Sequence, residues 1–213
     1  MRFRALVAGG TGQVGSGLVR ALLASSCTQV MMVNRRTIHL AADARLRQVI
    51  MDTSAANFAG EIAEVARKCS AQDEPLYAAS CIGIGKGSQQ WSEEDIRKLE
   101  IGVVGAFARG CLAAGIERFG LLSAAGSSAK SWIRYARIMG EKEDAVRRLG
   151  FKHLAIFRPA SLQVMRTPQG FLLCWGVSSR DRLEPLIRTI SGAPLSANFS
   201  TVKTGRRSWK IPR

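Results

Sequence analysis

The chain has 213 residues, 46% of them hydrophobic, enough to bury one sizeable core, so a single domain is the default expectation. Its longest apolar runs are short and broken by Gly, Arg or Ser, which excludes a transmembrane helix. Five cysteines without CxxC pairing, and only two histidines, exclude a zinc or disulfide framework. The formal net charge of +15 is unevenly spread: residues 1–100 hold 12 Lys and Arg against 10 Asp and Glu, and residues 101–213 hold 19 against 6.

Apolar runs and helix-like stretches alternate from the start, the pattern of a doubly wound α/β fold with a parallel sheet. The first strand is expected at Phe3–Ala8, close enough to the N-terminus to leave no room for a signal peptide. Further strands are expected at Gln29–Asn34, Gln48–Met51, Pro75–Ser80, Arg118–Ser123 and His153–Arg158. Helices are expected near 13–25, 54–70, 92–114 and 131–149. Ser92 before Glu93, Glu94 and Asp95 reads as an N-cap with acidic residues behind it, and Gly150 as a helix stop. Beyond about residue 160 the pattern weakens. The division expected is a domain over 1–190 and a basic tail over 191–213. Unpaired cysteines point to a reducing intracellular compartment, the mitochondrial matrix or the cytosol.

The run Val7-Ala8-Gly9-Gly10-Thr11-Gly12-Gln13-Val14-Gly15 has glycines spaced GxxGxxG between a strand and a helix. The three glycines serve a tight turn, close backbone approach to a pyrophosphate, and close helix–strand packing. Thr11, Gln13 and Val14 complete the turn, whose free N–H groups and helix dipole suit phosphate. About twenty residues on, where an acidic residue would hold an NAD ribose hydroxyl, stand Asn34, Arg35 and Arg36. Paired guanidiniums suit a 2′-phosphate, so NADP(H) is the cofactor expected. The bland reading of the two arginines is a solvated loop. A second glycine cluster, Gly83 to Ser88, lacks the frame of a Walker-type phosphate loop.

Gly9–Gly15, Val33–Arg36, Ser80–Gly83, Leu121–Ser123, Tyr135–Glu143 and Phe157–Pro159, in this order between residues 3 and 165, resemble the atypical short-chain dehydrogenase/reductases. The resemblance is strongest to the Tat-interacting-protein-like oxidoreductase group. It implies a Rossmann domain with NADP(H) across the carboxyl ends of its strands. Asp52 and Thr53 would lie near the adenine, Ala79 to Ile82, with Cys81, beside the ribose, and Pro159 to Leu162 near the nicotinamide.

Such enzymes use a Ser, a Tyr and a Lys four residues after the Tyr. Positions i and i+4 share a helix face, so the ammonium can lower the phenol's pKa while the phenol exchanges a proton with a carbonyl substrate. Ser123 and Tyr135 fill the first two places, with Ser127 and Ser128 as alternatives to Ser123. The third place holds Met139, which carries no charge and donates no hydrogen bond. Without a cation the phenol is expected near its reference value of about 10. Lys142 lies two turns from Tyr135, and Lys130 is in the preceding loop.

After Glu184 the chain has no acidic residue, while Arg188, Lys203, Arg206, Arg207, Lys210 and Arg213 follow. With Trp209 among them, this composition suits phosphate contacts and a stacked base. With Arg134, Arg137, Arg147, Arg148, Arg166, Arg180 and Arg182, an electropositive face is expected. Two functions follow from the sequence. One is an NADP(H)-binding protein with a degraded triad, acting as a component of an RNA-containing, for example ribosomal, ribonucleoprotein. The other is an active NADP(H)-dependent carbonyl reductase.

Overall fold

A computed structural model describes residues 1–38, 43–70, 74–84, 90–159, 164–167 and 170–173. The elements run β1 (Phe3–Ala8), α1 (Gln13–Leu23), β2 (Cys27–Asn34), β3 (Leu46–Ile50), α2 (Phe58–Ser70) and β4 (Leu76–Ser80). They continue with α3 (Glu93–Arg97), a π-helical stretch (Lys98–Val103), α4 (Val104–Ala113), β5 (Arg118–Leu122), α5 (Arg134–Arg147), β6 (His153–Phe157), β7 (Val164–Thr167) and β8 (Gly170–Leu173). Six strands form one sheet in the order β3-β2-β1-β4-β5-β6. Neighbouring strands in it pair in parallel, so the α/β expectation holds. The strand order reverses between β1 and β4, which opens a crevice at their carboxyl ends where such folds hold ligands.

Alternation along the strands builds two apolar layers, because successive side chains leave opposite faces of a sheet. Leu6, Ala8, Met31, Val33 and Ala78 face α2 and α4, through Ile62, Phe107 and Cys111. Phe3, Ala5, Val7, Met32, Tyr77 and Ala79 face α1, through Val14, Leu18 and Leu22. With both faces covered, the central strands need no polar alternation, hence the continuously buried Phe3–Ala8.

The expected helix over 92–114 is present from Glu93 to Ala113 but is widened into a π-helical stretch at its centre. Ser92 caps it, accepting the Asp95 N–H at 3.0 Å. α2 starts at Phe58, later than expected, because Asp52 accepts both the Ser54 N–H (2.9 Å) and its hydroxyl (2.6 Å), a local turn that competes with helix. α5 starts at Arg134, with Ile133 extended before it, and Gly150 beyond its end takes the left-handed φ of +79°. The antiparallel hairpin β7–β8 has no counterpart in the sequence pattern. The tail 191–213, the boundary at 190, His39, Lys86 to Ser88, Ala160 to Leu162, Cys174, Arg180 and Arg182 lie outside the described residues.

Candidate functional site

The glycine turn follows from where β1 must end. Gly9 adopts φ +76°, and a Cβ there would lie 2.5 Å from the Cys81 carbonyl carbon, so only glycine lets the turn pass the end of β4. A Cβ at Gly15 would lie 2.1 Å from the Gly9 oxygen, so the first turn of α1 packs directly on the loop. Gly12 stands at the N-cap of α1 and offers no side chain to the helix's first-turn N–H groups, and no acidic residue stands in that turn. Those donors and the helix dipole therefore favour an anion from outside the helix.

The turn opens on a cleft of about 160 Å³ lined by Gly9, Thr11, Gly12, Arg35, Thr53, Cys81, Ile82, Gly83, Leu99 and Val103. Arg35 is exposed at the end of β2 and Thr53 follows β3, so Gly9, Thr11, Gly12, Arg35, Thr53, Cys81 and Ile82 are brought together, while Asp52 and Ala79 do not line the cleft. Gln13, Val14 and Gly15 form the first turn of α1 behind that lining. Arg36 is exposed beside Arg35 and does not line the cleft. The Asp52 carboxylate is engaged by Ser54, whose hydrogen bonds hold it below the usual carboxylate range. Ala79 is buried within β4, and Pro159 is buried, its carbonyl accepting the Ala125 N–H at 3.0 Å. Burial pushes the Cys81 thiol up to about 12, although the Lys142 charge opposes this.

Leu99 and Val103 come from the π-helical stretch, which sequence reasoning passed over. Between them sits Glu100, fully buried, its Oε2 accepting from Lys142 Nζ at 2.7 Å and its Oε1 from the Ile84 N–H at 3.2 Å. The pair ties α5 to the cleft wall 81–84. Its signal was present: Ile138, Lys142 and Val146 share one helix face, and two of the three are apolar core residues.

Ser123, Tyr135 and Met139 stand outside the cleft lining. Ser123 follows β5 and donates its hydroxyl to Glu143 Oε1 at 2.5 Å; Ser127 Oγ lies 3.1 Å away and donates to the Ala124 carbonyl. Glu143 is buried and also gripped by Arg158, from the end of β6, and by Arg147. Burial works to raise its carboxyl, but the Arg158 and Ser123 hydrogen bonds and the two arginine charges outweigh burial and hold it below the usual range. Met139 is buried in α5, with 2% of its surface exposed. The Tyr135 phenol is pushed up to about 12, first by burial and then by the Glu100 carboxylate, above the reference value expected from sequence. Ser128 and Lys130 are exposed. Of the arginines expected to form a basic face, Arg137 pairs with Glu93 and Arg147 with Glu143 and Asp144.

No family model matches the chain. It is 30% identical over 161 residues to the mitochondrial protein fmp52-1 of Aspergillus terreus, a match covering 74% of this chain and 66% of that protein. It is 29% identical over 159 residues to the mitochondrial protein FMP52 of Candida glabrata, covering 74% and 63%. The chain thus spans just under two thirds of the length of these relatives. Among solved structures it resembles the oxidoreductase ylbE of Lactococcus lactis, with TM-score 0.61 and 15% identity over 88% of this chain and 86% of that one. It also resembles the Bordetella bronchiseptica enzyme WbmG in complex with NAD, with TM-score 0.57 and 15% identity over 74% and 53%. The fold is a Rossmann fold. The relatives carry the FMP52 name rather than that of the Tat-interacting-protein group. The structural neighbours, at 15% identity, share the fold.

Among the described residues no helix is long and apolar enough to cross a membrane.

Proposed function

We propose that this chain binds NADP(H) in the cleft at the carboxyl ends of β1, β2 and β4, and that it holds the dinucleotide with little turnover. The observation that carries this reading is Arg35 lining the same cleft as Gly9, Thr11 and Gly12. Backbone N–H groups of α1 would take the pyrophosphate, and the guanidiniums of Arg35 and Arg36 a 2′-phosphate. The dinucleotide, when bound, supplies hydride chemistry. This chain's own groups are poorly set for the accompanying proton transfer. Tyr135 stays protonated near neutrality, Met139 offers no cation, and the Ser123 hydroxyl is engaged by Glu143.

The mitochondrial names of the relatives support a mitochondrial site of action. Residues 160–213 carry nine Lys and Arg against two Asp and Glu, which supports an anionic partner such as an RNA-containing assembly. Calorimetric titration of the full chain tests the cofactor: NADPH binds at least about tenfold more tightly than NADH, roughly 1.4 kcal/mol. The Arg35→Ala/Arg36→Ala variant loses that preference. Equal wild-type affinities for the two refute the NADP(H) reading.

A further inference from the structure

Gln48 in β3 holds the backbone of the turn that carries Arg35. Its side-chain Oε1 accepts the Ile38 N–H at 3.0 Å and its Nε2 donates to the Ile38 carbonyl at 2.7 Å. The amide therefore pairs with Ile38 as the backbone of a neighbouring strand would. The same Oε1 accepts from Asn34 Nδ2 at 2.9 Å, so both feet of the segment 34–38 rest on one side chain. At the first foot the Asn34 carbonyl also accepts the Met51 N–H at 2.9 Å, which fixes the end of β2 against β3. Arg35, Arg36 and Thr37 form the exposed crown of the resulting arch. Asn34 is 5% exposed, and among the described residues its Oδ1 has no hydrogen-bond partner, so its side chain is held through the bond to Gln48.

We propose that Gln48 is a specificity-determining positioning residue for a dinucleotide 2′-phosphate, acting through the arch that presents Arg35 and Arg36. The inference rests on the NADP(H) reading above. A guanidinium on a closed arch is already near its bound position and loses less freedom when it grips a phosphate. A ligand without a 2′-phosphate makes no use of that arrangement. Gln48 is half-buried on the edge strand of the sheet, so Gln48→Met preserves length and apolar stem while removing all three hydrogen bonds.

The test is calorimetric titration of wild type and Gln48→Met with NADPH and with NADH, repeated with 2′,5′-ADP and 5′-ADP. NADPH and 2′,5′-ADP are expected to bind at least about fivefold more weakly to the variant, with NADH and 5′-ADP changed less than about twofold. Equal losses for both members of each pair mean a general structural role and overturn the proposal, as does an unchanged NADPH affinity. A wild type with no preference for NADPH removes the NADP(H) reading and this inference with it. A wild-type preference retained in Gln48→Met removes the inference alone. Amide hydrogen exchange on the wild type probes the same grip without a variant. The Ile38 N–H is expected to exchange more slowly in the NADPH complex than in the NADH complex, and equal rates overturn the proposal.

Discussion

Replacing Lys142 by methionine isolates the energetic role of the buried pair behind the cleft. Lys142 and Glu100 have 1% and 0% of their side chains exposed and meet at 2.7 Å. Removing the ammonium leaves a carboxylate shut away from water, still accepting the Ile84 N–H but facing no cation at that distance. Breaking a buried pair on one side costs about 3–5 kcal/mol, because the uncompensated charge remains. Removing both charges is different. In Glu100→Gln/Lys142→Met, a neutral side chain still accepts the Ile84 N–H and an apolar one fills the lysine's space, so the expected loss is about 1 kcal/mol or less. The two changes should therefore couple by at least about 2 kcal/mol. Urea unfolding of wild type, both single variants and the double variant, followed by far-UV circular dichroism, gives the losses from their midpoints provided the slopes agree. A Lys142→Met loss below about 1 kcal/mol, the range of exposed pairs, refutes the reasoning. So does a double variant as unstable as the single one.

The Glu143 carboxyl sits below its usual range in the folded chain, so the unfolded state takes up its proton first as pH falls. The stability it contributes is present above the unfolded value of about 4.3 and is lost as pH drops through the lower folded value. Glu143→Gln should flatten the acid limb of a stability–pH curve, and an unchanged limb would show that Glu143 does not drive it. Turnover of NADPH with aldehydes, ketones and quinones should be very low and should rise at least about tenfold in Met139→Lys, which restores a cation four residues from Tyr135. A wild-type rate typical of reductases, abolished by Tyr135→Phe, contradicts this. RNA binding, measured by filter retention, should weaken about a hundredfold or more between 50 and 200 mM salt, and deletion of residues 203–213 should flatten the slope. Tight binding that ignores salt would instead mark a protein partner held by apolar contacts.

The local parts of this molecule were legible from sequence because their physics is local. Phe3–Ala8 is a strand on both readings, since a short apolar run closed by glycine leaves few alternatives. The glycine spacing, the arginines twenty residues on and the methionine at position 139 are one-dimensional features, from which the expectation of a dinucleotide cleft and an impaired triad is drawn. What tertiary structure decided is which distant groups satisfy one another. Nothing in the period of 92–114 shows that it widens into a π-helical stretch, which places Glu100 against Lys142, 42 positions away. The position of Ser123 after a strand is legible in the sequence, but not that Glu143 of α5 accepts its hydroxyl, with Arg158 from beyond β6 on the same carboxylate. The sequence marks Gln48 only as the start of a strand; that its amide closes the arch at Ile38 is decided by the packing of β2 and β3. A buried charge or amide is tolerated only where a partner meets it, and that meeting depends on the packing of whole elements rather than on the neighbours either residue has in the chain.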